Sequence, residues 1–434
     1  MRCCTGIDTF VYTGIEILDT GAVLRIDAAS GKHTRAVCEL LLPVALPQRL
    51  TLLDLADLCS RALLDATRPF AAEKRKIGAL LSGGIDSAVV VAALAHHGVD
   101  LTAYHFQFSS PAADESGYAR LVCQTLGIPF VPIQASIGAD YLSEGWKYPH
   151  PYGHGGMRWF EQVADRAQQD GISLMVTGRG GDLAFGPLAT YGLSDVFAAP
   201  IVWQEKWAMA LGAISTDWSV SSLLRSIGRS SLIDERSFVS SLTSRKLHAV
   251  PFLRQPTFPS AFPDLYDMTR FSPQDLALEA TIWKPRGIRV IHPYHHPAVQ
   301  QLAASLPTAY RLVPFQGIRV TKPVLRLAFA SVLPAAIIRH RRGAWLSVPG
   351  QEYCLKHIPS ILHLIGNPRS HLVRRGLVYP EELSWLFSEA PFSSDISQEM
   401  RIRTYTKYLI ASSMTELFLR QCTSFPIDDT QGGG

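Results

Sequence analysis

The 434-residue chain contains no C-x-x-C pair. Its seven cysteines are Cys3, Cys4, Cys38, Cys59, Cys123, Cys354 and Cys422, and only the first two are close together. This excludes a zinc ribbon or a dithiol redox centre built on that spacing. Scattered cysteines suit a reducing cytosol, where they act as small core residues. The start, MRCCTGIDTF, lacks the apolar stretch of a secretory signal. No apolar run reaches the roughly 18 residues of a membrane span, so the expected location is cytoplasmic. Charge of one sign is also scarce: 41 basic side chains against 37 acidic ones leave a net +4. Nucleic acid is not an expected partner, because it needs a clustered basic face. What the chain does have is 47% hydrophobic and 18% charged residues over a length that suits two or three domains.

The pattern along the chain divides it. Residues 1–46 alternate apolar and polar with turn signals at Asp19–Gly21 and Ser30–Gly31, predicting a short β-hairpin region. Leucines at 52, 53, 55, 58, 63 and 64 predict a helix over residues 50–68. From about residue 75, short apolar strands (KIGALLS, LTAYHFQF, IPFVPI, ISLMVTG) alternate with helices (DSAVVVAALAHHG, DESGYARLVCQTLG, GGMRWFEQVADRAQQDG). Such alternation predicts βαβ units, hence an α/β fold with a doubly wound parallel sheet. Beyond about residue 190 the chain reads as mostly helical, including a Ser/Arg-rich helix at 219–246. The expected divisions are 1–46, 47–350, a helical extension 351–427 and a disordered tail 428–434.

The stretch LLSGGIDSAVV joins a predicted strand to a predicted helix. Gly83 and Gly84 carry no Cβ, so backbone N–H groups can approach an anion closely. The following helix offers unpaired N–H groups and the positive end of its dipole. Ser82 and Ser87 add hydroxyl donors. Asp86 would repel phosphate unless it held a Mg²⁺ ion bridging phosphate oxygens. The spacing fits neither G-x-x-x-x-G-K-[ST] nor G-x-G-x-x-G, so this is neither of those nucleotide loops.

A second constellation, VTGRGGDLAFG, begins at Val176, again at a predicted strand end. Gly178, Gly180 and Gly181 permit close backbone approach, Asp182 supplies a second carboxylate for Mg²⁺, and Arg179 supplies positive charge. In a parallel sheet the two loops can meet beyond the carboxyl ends of their strands.

The first loop resembles the pyrophosphate loop of the ATP pyrophosphatase superfamily. The second resembles the T/S-G-x-G-x-D-E-L-F-G stretch of the asparagine synthetase synthase domain. DESGYARLVCQTLGI, GIRVIHPYHHPAVQQLAASLP and TKPVLRLAFASVLPAAIIRHRRGAW resemble further segments of that domain in the same order. The resemblance covers roughly residues 47–350. It implies ATP and Mg²⁺ as cofactors, pyrophosphate release, and an adenine and ribose pocket lined by Phe106. It also makes GIEILDTGAVLRID the remnant of a glutaminase-like domain's last hairpin. Ammonia from glutamine is then not expected, and the nucleophile is an amine of the substrate itself. SHLVRRGLVYPEELSWLFSEA and the helix after it resemble the end of the lasso-peptide macrolactam cyclases. That resemblance implies a precursor peptide as substrate, with a leader peptidase and a leader-binding protein as partners.

Two positions depart from the family. The glutamate of G-V-E-x-R, part of the amine-deprotonating dyad in β-lactam synthetase-like enzymes, falls at Arg289. The lysine of R-x-x-K or R-x-K falls at Arg341 or Arg342, and Arg342 is the expected charge stabiliser, though arginine cannot act as a base. His292, His295 and His296 cluster in HPYHH, with packing at a strand end, a zinc site, or a base role for His295 or His296 as readings. The aromatic stretch Tyr141–Trp159 reads equally as a pocket wall or a surface loop. The expected activity is an ATP-dependent, AMP-forming amide ligase, with a lasso-peptide cyclase as the specific form. A small-molecule β-lactam or amide synthetase, an asparagine synthetase-like enzyme, and a catalytically inactive nucleotide-binding scaffold are the alternatives.

Overall fold

A computed structural model describes residues 18, 22–37, 50–73, 75–135, 148–150, 157–186, 273–306, 308–315, 318–340, 348–381, 383 and 398–424. The expected turn at Asp19–Gly21, the 219–246 helix, most of Tyr141–Trp159, the tail, and Arg341 and Arg342 lie outside these residues.

Five short strands form one parallel sheet: β3 (Ile77–Leu80), β4 (Leu101–Gln107), β5 (Phe130–Gln134), β6 (Leu174–Thr177) and β7 (Arg289–Ile291), in the order β5-β4-β3-β6-β7. They are preceded by an antiparallel hairpin, β1 (Ala22–Ile26) and β2 (His33–Val37), turning through Asp27–Ser30. Helices α1 (Leu52–Ala71), α2 (Ile85–His96), α3 (Ser116–Leu126), α4 (Met157–Gln169) and α5 (Gly181–Phe185) connect or flank the strands. Thr51 caps α1 in a reciprocal box with Asp54, which fixes where that helix starts.

Side-chain alternation along the strands decides which layer packs on which face. Ile77, Ala79, Leu101, Ala103, Leu174 and Val176 point into one core with α1, α2 and α3. Tyr104 and Met175 point into a second core with Val163, Ala164 and Ala167 of α4. Helix α2 has no polar stripe from Ser87 to Leu94, and all of those residues are buried. It is a helix enclosed in the first core, which its run of valines and alanines predicts. Cys59, Cys123 and Cys354 are buried thiols within these cores or the helical part beyond them.

The helical reading beyond residue 190 is interrupted by β7, which extends the sheet, and by a hairpin of β8 (Leu312–Phe315) and β9 (Ile318–Thr321). Helices α6 (Pro273–Leu278), α7 (Pro297–Ser305), α8 (Pro323–Ala328) and α9 (Ala335–Ile338) surround them. Val299 and Ala303 of α7 and Val324 and Leu325 of α8 close the first core. A later helix, Gln398–Ser424, sends Met414, Leu417 and Phe418 into the second. No described helix is long and apolar enough to cross a membrane.

The strand order has one consequence for function. From β3 the chain moves outward through β4 to β5, then returns to place β6 on the other side of β3. The crevice between β3 and β6 is the topological switch point, where open α/β sheets bind ligands.

Candidate active site

Both glycine-rich loops leave the sheet at this switch point. Ser82–Gly84 follows β3 and leads into α2, with Gly84 as its N-cap. The two hydroxyls organise the loop: Ser82 Oγ lies 3.0 Å from Ser87 Oγ, Ser82 N donates to Ser87 Oγ at 3.1 Å, and Gly84 N donates to Ser82 Oγ at 3.3 Å. Gly83 has φ +95°, and a Cβ there would lie 2.8 Å from Glu115 Cβ. The start of α3 therefore packs directly on the loop. Glu115 accepts from His340 Nε2 at 2.8 Å, and the Tyr118 ring lies 4.1 Å from that imidazole.

Gly178 to Asp182 lies on top of the first loop. A Cβ on Gly178 would sit 2.5 Å from Ser87 N, and one on Gly181 would sit 2.5 Å from Asp86 Cγ. Gly180 has φ +89° and faces the His295 ring. The glycines thus serve loop-to-loop contact, beyond any approach to a ligand. Arg311, buried, ties this arrangement down by donating to Ala184 O and Ala303 O, each at 2.7 Å. That joins the end of α5 to α7. Tyr294, also buried, donates its hydroxyl to Asp86 O at 3.0 Å, and burial holds its pKa well above the ordinary tyrosine value.

Asp86 and Asp182 converge, as the sheet argument requires. Lys322 Nζ lies 2.5 Å from Asp86 Oδ2 and 2.5 Å from Asp182 Oδ1. This lysine is 7% exposed, whereas Asp182 is 88% exposed. Lys322 is also the one non-glycine residue with positive φ (59°) among those described. Such a backbone is costly and persists where the surroundings impose it. Burial pushes the Asp86 carboxyl up from the ordinary value of 3.8, against the opposing pull of Lys322. Asp86 Oδ1 is buried with no hydrogen-bond partner among the described residues. A buried carboxylate oxygen without a donor, beside an exposed second carboxylate, is a donor set that fits a hard divalent cation. Among the described residues no three His, Cys, Asp or Glu side chains gather into a metal cluster.

Other expected residues fall as follows. Arg179 is exposed in the second loop, its backbone N donating to Thr177 Oγ1 at 3.2 Å. Phe106, near the end of β4, packs edge-on to Phe160 at 5.1 Å and beside Trp159 at 6.3 Å. Arg289 does not take the place of a site glutamate. It begins β7 opposite Leu174, at the amino edge of the sheet, where it pairs with Glu73 at 3.2 Å. The reason is register: the carboxyl edge is reached only after Ile291, which pairs Val176.

That edge carries His292, read in the sequence as part of the HPYHH cluster, together with Thr177 and Glu279, which had no role there. Thr177 Oγ1 lies 2.6 Å from His292 Nδ1, and His292 Nε2 lies 2.9 Å from Glu279 Oε1. Lys322 was in view within TKPVLRLAF but had no role. Its signal was a lysine directly before a proline at a helix start, with no exposed face to serve.

The sequence model of the asparagine synthase family matches residues 59–402. The microcin J25-processing protein McjC of Escherichia coli is 30% identical over 144 residues, a match that covers 31% of this chain and 27% of that protein.

Proposed function

The chain belongs to the asparagine synthase family, and from that premise we propose that it adenylates a side-chain carboxylate of a peptide and joins it to the peptide's own amine. The general class, an ATP-dependent ligase, comes with the family. The observation that carries the proposal is the stacking of Gly178 and Gly181 on Ser87 and Asp86 at the switch point, which brings both carboxylates to one lysine.

The loop N–H groups of Gly83 and Gly84, the hydroxyls of Ser82 and Ser87, and the start of α2 would bind pyrophosphate as it departs from ATP. Asp86 and Asp182 would hold Mg²⁺, which when bound neutralises charge on the phosphates. Arg179 and Lys322 add positive charge beside the same oxygens, and Arg342 is proposed to add more. Catalysis of this step is positioning and charge stabilisation. Phe106 is proposed to line the nucleoside side. The amine then attacks the acyl-adenylate and AMP leaves.

The similarity to a microcin J25-processing protein supports a precursor peptide as substrate and a macrolactam as product. A leader peptidase and a leader-binding protein would then serve the same precursor. The test mixes the full chain with ATP, Mg²⁺ and linear peptides that begin with Gly or Ala and carry one Asp or Glu side chain. Pyrophosphate, AMP and a peptide lighter by one water are expected. Asp86→Asn should abolish pyrophosphate release, and full activity in that variant would refute the metal role. Binding of ATP without AMP formation from any peptide would refute the ligation of peptides.

A further inference from the structure

From the geometry at the carboxyl edge of β6 and β7 we infer that Thr177, His292 and Glu279 form a proton relay that deprotonates the attacking amine. The inference rests on the amide-ligase reading above and supplies the base that reading lacks. Arg289 cannot serve, because it is a permanent cation paired with Glu73 on the opposite edge of the sheet.

The three side chains make a directed chain. Thr177 ends β6, one residue before Gly178, whose backbone lies on Ser87 of the pyrophosphate-loop motif. Its hydroxyl is 2.6 Å from His292 Nδ1, and His292 Nε2 is 2.9 Å from Glu279 Oε1. A carboxylate can only accept, so Nε2 carries the hydrogen and donates to Glu279. Nδ1 is then the lone-pair side, and the Thr177 hydroxyl donates to it. Thr177 Oγ1 accepts from Arg179 N at 3.2 Å, which leaves one lone pair for an N–H from substrate. Hydroxyl, imidazole and carboxylate thus stand in the order used wherever a histidine draws a proton through an oxygen and a carboxylate fixes its tautomer.

The local backbone is built to make this contact. His292 is 7% exposed and directly follows β7, which register places beside β6. Glu279 opens a single π-helical turn, Glu279–Trp283, between α6 and the turn that leads into β7. Such turns are rare and recur at functional sites, because the extra residue re-aims a side chain. Among the described residues, Glu279 and the His295 ring, 5.6 Å away between centroids, are titratable groups that face the imidazole.

The step balances as follows. The amine nitrogen attacks the carbonyl carbon of the acyl-adenylate and forms the C–N bond. The C–O bond to phosphate breaks, and AMP leaves with its electron pair. One amine proton passes to Thr177 Oγ as the hydroxyl proton passes to His292 Nδ1. Glu279 stabilises the imidazolium, which returns its proton to solvent after product leaves. Thr177 is the catalytic residue that touches the amine, and Glu279 positions His292.

The experiment separates the two half-reactions in the full chain, with the same glycine-initiated linear peptides and ATP–Mg²⁺ as probes. Pyrophosphate release and trapping of the adenylate by hydroxylamine report activation, and loss of water reports ring closure. His292→Gln is expected to retain activation within about twofold and to slow ring closure roughly 100-fold or more, the usual range for a general base. The wild-type ring-closure profile should show an acid limb that the variant lacks. Glu279→Gln should slow ring closure less and shift that limb, and this decides the matter if His292→Gln loses activation as well. Ring closure at the wild-type rate in His292→Gln overturns the relay, as does equal loss of both half-reactions in Glu279→Gln. A wild-type chain that releases no pyrophosphate with any peptide overturns the ligase reading itself, and the relay with it.

Discussion

Single atoms at the loop contact decide whether the site exists. Gly181 is the sharpest case, since a Cβ there would fall 2.5 Å from Asp86 Cγ. Gly181→Ala must displace either the carboxylate or the start of α5, and a shift of about 1 Å at reacting groups costs roughly 100-fold in rate. We expect pyrophosphate release to fall by about that factor while the thermal midpoint changes little. Lys322 is the second case. Its ammonium lowers the Asp86 carboxyl while burial raises it. Removing the charge in Lys322→Met leaves only the weaker pull of Arg326 against burial, so the Asp86 carboxyl moves further up. Protonation of Asp86 would remove a ligand of the proposed Mg²⁺ site, so the acid limb of pyrophosphate release should move to higher pH in the variant. A limb that stays in place, measured by pyrophosphate release against pH, contradicts the coupling. The meeting of the Ser82–Ser87 and Gly178–Asp182 segments was legible in the sequence because each is short and follows a strand of one sheet. Lys322 was not, because its partner Asp86 lies 236 residues away.

At the level of elements, the strand ends are held by buried polar groups that read as ordinary strand residues. His105, in β4, is 3% exposed and lies 2.7 Å through Nδ1 from Leu81 O, just before the Ser82–Gly84 loop. Burial lowers its pKa below the ordinary 6.5. The unfolded chain takes up this proton near pH 6.5, and the folded chain only at lower pH. Between those values the unfolded state binds more protons, so stability falls as pH drops below about 6.5. His105→Gln, which keeps a donor for Leu81 O, should flatten that decline. Urea unfolding at several pH values checks it, and an unchanged slope would count against burial as its cause. The alternation of strands and helices was plain from periodicity because it depends on residues a few positions apart. β7 entered the sequence reading only as a strand end before HPYHH, within a part read as mostly helical. Three residues are too few to show a period, and only pairing with β6 makes them a strand.

The whole molecule joins the sheet to the helical part through a shared core. Phe418, 4% exposed, belongs with Leu417 and Met414 to the cluster that holds Tyr104, Met175 and Trp283. Phe418→Ala should therefore cost about 3 kcal/mol in chemical denaturation, while the KM for ATP stays near wild type because the cavity lies away from both loops. A loss confined to an early partial transition would show that the last helix folds as a separate unit. Residue types and their short-range order were enough to determine an α/β sheet with a glycine-rich loop after each of two strands, because strand and helix periods and glycine's missing Cβ act locally. The strand order, and with it the switch point, came only from tertiary pairing. Pairing sent Arg289 to the far edge beside Glu73, and packing of the last hairpin and its following helix brought Lys322 between two aspartates. Pairing set His292 beside Thr177, and packing of the π-helical turn set Glu279 behind it. Which side chains share one edge of a sheet depends on register between distant strands, and no property of either segment by itself encodes that register.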